Sequence, residues 1–160
     1  MSKRQLQCQS CQCGLAKDEA QFVDEGTFEL LSQLPQGVAL GVYCSPCFEA
    51  HVRPALEAYL EKVERAKNVN VFLATQSKES RFVRRTEKPI SVEECLDRDD
   101  ALLRLALKAV ELNKNALVDV DFSSRKIRNG GWQTARWSGR GIPAHIEESQ
   151  LQRRFIGAPN

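Results

Sequence analysis

No stretch of these 160 residues is apolar for anything near the roughly 20 positions that a bilayer-spanning helix requires. The opening Met1-Ser-Lys-Arg-Gln-Leu-Gln-Cys8 has two cations but no apolar run behind them, so no secretory leader is expected. A soluble, cytoplasmic protein is the expectation. There is no internal repeat and no low-complexity block. A glycine-rich phosphate loop, a serine nucleophile elbow and an acid/base cluster are all missing, so an enzyme is not expected. The net charge of +2 is too small to demand a polyanionic partner.

Cysteine is what the chain does have, six in all. Without an export signal the thiols should stay reduced, and paired spacing reads as metal ligation rather than disulfides. Cys8 and Cys11 form one C-x2-C pair, and Cys44 and Cys47 form another after 32 intervening residues. Each short loop converges two thiolates, and two loops complete a tetrahedron around one Zn2+. The second pair lies where a strand (Val38–Tyr43) feeds a helix, whose N-terminal N–H groups favour thiolate charge. Cys8, Cys11, Cys44 and Cys47 are therefore the expected ligands of one structural zinc. Cys13 in place of Cys11, and His51 in place of a thiol, stay open as alternatives, as do a redox pair, an iron–sulfur cluster and disulfides.

A knuckle, an intervening hairpin and a second pair opening a helix resemble the treble-clef class of zinc fingers, over about residues 6–66. Phe28–Leu34 is expected to add one or two helical turns. The helix after Cys47 carries an apolar stripe at Phe48, Val52, Ala55, Leu56, Tyr59, Val63 and Ala66. Ser45 is the expected N-cap, with Pro46 at the first helical position. Pro54 predicts a kink, or a helix that properly starts only near Arg53.

Three parts are expected: a finger with its long helix over 1–67, an α/β domain over 68–146, and a polar tail over 147–160. Residues 1–67 hold 7 basic and 9 acidic side chains, against 16 and 12 beyond them. In the second domain, strands are expected at Val69–Thr75 and Arg81–Thr86. A helix is expected from Ser91 or Asp99 through Leu112, with Asn113 as its left-handed stop. The alternating Leu117–Phe122 should place Val118, Val120 and Phe122 on one face and Asp119 and Asp121 on the other. After Asn129-Gly-Gly131, a last strand should run from Trp132 to Ile142 and stop at Pro143. The fold class is α+β: the finger, then an antiparallel sheet packed against one main helix.

The helical run Asp100–Leu112, the Asn113–Phe122 segment and Gly139-Arg-Gly-Ile142 resemble the YbjQ-like family, which has been labelled putative heavy-metal-binding. The resemblance spans Asn70 to Ile146. It implies a small sheet-and-helix domain that forms a symmetric homo-oligomer and has no established enzymatic chemistry. Only Cys95 and His145 are soft ligands there, so no heavy-metal site is carried over.

The remaining chemical signal is Arg125, Lys126, Arg128, Trp132, Arg136, Trp137 and Arg140: five cations, no acid and two indoles. Such a surface suits single-stranded nucleic acid or a protein partner. Arg81, Arg84, Arg85 and Lys88 would extend it if they lie on a neighbouring strand. The leading expectation is a non-enzymatic binding or scaffold protein. A nucleic-acid-binding protein comes second, and a metal-handling or redox sensor third.

Overall fold

A computed structural model of the chain describes residues 5–31 and 33–151. The chain divides into two compact units, Met1–Glu61 and Lys62–Asn160.

The first unit starts with a small hairpin, β1 (Leu6–Gln7) against β2 (Gly14–Leu15). A second antiparallel pair joins β3 (Gln21–Val23) to β4 (Gly41–Tyr43). Between these two strands the chain is a series of turns. Asp24 organises the first of them by accepting hydrogen bonds from the Gly26 and Thr27 amides at 3.0 and 3.1 Å. The expected helical turns at Phe28–Leu34 are hydrogen-bonded turns instead, and Ser32 lies outside the described residues. Phe28, buried at 3% exposure, meets the Tyr59 ring edge-on with centroids 5.4 Å apart.

The helix after β4 starts one residue before the expected position. Cys44, not Ser45, is the N-cap, and it makes no side-chain cap bond. A short α1 (Ser45–Cys47) passes into a π-helical stretch, Phe48–Val52, and then into α2 (Arg53–Lys67). In the π stretch the Arg53 amide bonds the Phe48 carbonyl five residues back. Pro54 has no amide to offer and its ring would collide with the Ala50 carbonyl in a regular α-helix. The wider π turn absorbs that conflict, and the regular α-helix runs from Arg53 onward, where Pro54 predicts its proper start.

The second unit is a four-stranded sheet in the order β5-β7-β8-β6, made of β5 (Asn70–Leu73), β6 (Ile90–Cys95), β7 (Ala116–Asn129) and β8 (Trp132–Ala144), with α3 (Arg98–Glu111) on one face. It is α+β, with one main helix on a sheet. The sheet is not wholly antiparallel, because β5 joins β7 in parallel. No strand forms at Arg81–Thr86. The second strand is β6, which takes up residues expected to begin the helix. Asp97 is the true N-cap, accepting from the Asp100 amide at 2.7 Å. At the other end Asn113 adopts φ +57°, with Lys114 N–H on the Ala109 carbonyl and Asn113 N–H on the Val110 carbonyl, both 2.9 Å. These two bonds are a Schellman cap.

The faces of β7 differ from simple alternation. Asp119 has φ +53°, and the pairing slips by one residue between Val118 and Asp121 against β8, with a matching slip against β5. Asp119 is thus an extra residue that exchanges the faces on either side of it. Leu117, Val120 and Phe122 share the face of Gly139 and Gly141, toward α3. Val118 is instead on the opposite face, in a core of Phe72, Val83, Ala116, Ala144 and Ile146. Asp119 does not share an open face with Asp121. Its carboxylate takes two hydrogen bonds from Arg85, 2.7 and 3.1 Å, and Arg85 also bonds the Ser80 hydroxyl and two carbonyls of the 80–83 turn.

Strand β8 runs through Pro143 to Ala144. Beyond it, Glu147 starts a helical turn that reaches Leu151, and the rest of the expected tail, 152–160, lies outside the described residues.

Candidate metal centre

The site is assembled by backbone bonds that the cysteines themselves help make. Cys8 N–H bonds the Cys13 carbonyl and Gln12 N–H bonds the Cys8 carbonyl, both at 2.9 Å, which closes residues 8–13 into a knuckle at the tip of the β1–β2 hairpin. Gln12 takes the left-handed conformation that this tight turn needs. Gln9 N–H then bonds the Val42 carbonyl at 2.7 Å, bringing the knuckle against β4 just before Cys44. Gly41 permits that approach, since a Cβ there would sit 2.9 Å from the Gln9 Oε1. Behind the site, the buried Tyr43 hydroxyl exchanges two 3.0 Å hydrogen bonds with the Ala39 backbone.

The ligand atoms of Cys8, Cys11, Cys13 and Cys44 all lie within 4.8 Å of one another. This is a group of four that a metal ion can bind, with Cys8 and Cys44 buried and Cys11 and Cys13 exposed. The Cys11 and Cys44 sulfurs are 3.7 Å apart. The fourth member of this set is Cys13, where the C-x2-C spacing had pointed to Cys47. Cys47 is not distant, however: the thiols of Cys44, Cys11 and Cys8 are near enough to act on its own. Cys13 joins because the knuckle turns its end back over Cys8, which spacing alone does not reveal. His51 is exposed in the π stretch and is not in the cluster.

So many thiols in one place cannot all ionise without a cation. Burial opposes charge on Cys8, but hydrogen bonds from the backbone of Cys11, Cys44 and Ser10 outweigh it and bring that thiol down to about 6. Cys13 is pushed up to about 12, first by its hydrogen bond with Cys11 and then by burial. Cys47 is likewise pushed up to about 12, first by Cys44 and then by burial. One anion suppresses the next, and a divalent ion would remove that conflict by binding four thiolates together.

The other expected site residues separate. Arg125, Lys126, Arg128, Trp132, Arg136, Trp137 and Arg140 all lie on the β7–β8 hairpin, whose outer part is a two-stranded ribbon. Register puts Arg125, Trp132, Arg136 and Arg140 on one face and Lys126, Arg128 and Trp137 on the other. Trp132 is 81% exposed near the tip, whereas Trp137 is half-buried nearer the sheet. Arg125 is paired with Glu94, and Arg85 is committed to Asp119, so it does not extend the basic patch. Cys95 is fully buried in the second unit, and burial raises its thiol, followed by the nearby Asp100 charge. It has the environment of a packed side chain, not of a nucleophile. No helix among the described residues is long and apolar enough to cross a membrane. No family model, no curated protein and no solved structure matches this chain.

Proposed function

We propose that this chain is a non-enzymatic binding or scaffold protein whose first unit is stapled by one zinc ion and whose second unit self-associates. The thiol cluster carries the reading. In a tetrahedron with Zn–S bonds of about 2.3 Å, neighbouring sulfurs are about 3.8 Å apart, and the Cys11–Cys44 separation of 3.7 Å fits that edge. Thiolates are soft donors that select zinc over magnesium or calcium. A complete set of four leaves no open position for water, so the ion is structural. Among its described residues the first unit has only two-residue and three-residue strands, so metal binding supplies much of its folding free energy.

Self-association of the second unit is supported by the YbjQ-like resemblance of residues 70–146 and by exposed apolar side chains, Leu96 at 68% and Leu112 at 48%. The test is elemental analysis of the reduced, purified chain, with light scattering on the same sample. One zinc per chain, loss of first-unit structure on chelation, and a closed oligomer are expected. A metal-free chain that ignores a strong chelator refutes the zinc staple, and a monomer at high concentration refutes self-association.

The exposed Trp132 beside exposed Arg125, Lys126 and Arg128 favours a second reading, in which the ribbon binds single-stranded nucleic acid. Binding of an oligonucleotide must then weaken steeply with salt. No binding at low salt ends that reading.

A further inference from the structure

Five thiols meet where a tetrahedral ion takes four. Cys13 lies with Cys8, Cys11 and Cys44 inside the 4.8 Å cluster, and Cys47, outside that cluster, is near enough to the same three for their thiols to act on its own. The two remaining thiols come from separate elements. Cys13 precedes β2 at the end of the knuckle, and Cys47 is in the first turn of α1. Neither element has to unfold for its thiol to reach a fourth position, because both thiols already border the same trio.

We propose that Cys13 and Cys47 are interchangeable fourth ligands to the ion, so that one site thiol always stays uncoordinated while Cys8, Cys11 and Cys44 remain bound. This rests on the zinc reading above. Its consequence is a route for exchange: the free thiol gives up its proton and enters as the bound thiolate leaves, and the ion never drops below three protein ligands. Charge and atoms balance in that swap, since one Zn–S bond forms, one breaks, and the proton on the incoming sulfur passes to the departing one through solvent.

The experiment uses the full chain and measures zinc affinity by competition with a chromophoric chelator, for Cys13→Ser, Cys47→Ser, the double variant and Cys44→Ser. Each single variant at Cys13 or Cys47 is expected to keep one zinc per chain with affinity within about tenfold of the parent. The double variant and Cys44→Ser should each lose about a hundredfold or more, as loss of a ligand in a closed site implies. Cobalt(II) spectra guard against misfolding: both single variants should give the same tetrathiolate absorption as the parent. Maleimide labelling of the zinc-loaded parent should modify one site cysteine per chain, divided between Cys13 and Cys47. The proposal is overturned if one single variant loses zinc as completely as the double, or if the double binds as well as the parent. The parent chain's own zinc content is a separate readout, and a metal-free parent sinks the zinc reading before the variants are compared.

Discussion

Replacing Gly139 with alanine isolates the packing of α3 on its sheet. A Cβ at this position would lie 2.9 Å from Leu105 Cδ1 and 3.2 Å from two atoms of the Phe122 ring. Carbon atoms pack best at about 3.5–4.0 Å, so something must move. Leu105 is fully buried and cannot swing into solvent, which leaves a shift of the helix or an unfavourable rotamer. Overpacking of this kind costs about 1–3 kcal/mol. In a unit of this size each kcal/mol lowers Tm by about 4–8 °C. Truncating the obstacle should partly cure the defect. Leu105→Ala alone should cost about 2–5 kcal/mol through its cavity, and the double variant should be more stable than the two losses added together, by about 1 kcal/mol. Both tryptophans, Trp132 and Trp137, belong to the second unit, so their fluorescence during urea unfolding reports that unit alone. A Gly139→Ala chain within 0.5 kcal/mol of the parent, on the order of an ordinary surface change, refutes the close approach. Strict additivity in the double variant refutes the assignment of the clash to Leu105.

Asp119→Asn should cost about 1–2 kcal/mol at neutral pH, because the pair with Arg85 is hydrogen-bonded but partly screened by water. Hydrogen bonds from Arg85 hold the Asp119 carboxyl below the ordinary range despite some burial. Its contribution is therefore complete above the unfolded value of about 3.9 and fades as pH falls through the lower folded value. The parent–variant difference in urea midpoint should shrink in acid, and a constant difference down to strongly acid pH refutes the linkage. Asn113→Gly should stabilise the second unit by about 0.5–1 kcal/mol, since glycine takes φ +57° without a Cβ penalty. A loss in Tm there would mean the asparagine side chain has another task.

Much of this layout is written in local pattern. The Leu102–Leu112 periodicity, the acids before it and Asn113 after it mark α3, and all are short-range effects of propensity and capping. The Asn129-Gly-Gly131 turn likewise marks the long hairpin. Strand β6 was illegible because Glu93, Glu94 and Asp97 read as the acidic start of a helix, while Ile90, Val92 and Cys95 found their partners 42 or more residues later on β8. Strand β5 was expected but its parallel pairing was not, for the same reason: its partner, β7, is fixed only once α3 has crossed over. At the metal centre the two C-x2-C pairs were plain, but Cys13 was not. Its place depends on the left-handed turn at Gln12 and the Cys8–Cys13 backbone bond, and neither leaves a mark in the spacing of the thiols.

The one-residue slip at Asp119 has a consequence for how the chain can change. Because two residues of β7 oppose one position on each partner there, deleting Asp119 would restore regular pairing with β5 and β8 and leave Leu117, Val120 and Phe122 facing the helix, at the loss of the carboxylate that holds Arg85. Elsewhere in β7 the loss of one residue would shift the alternation against both partner strands at once. The bulge is thus a place where this strand can lose a residue without rewriting its apolar alternation.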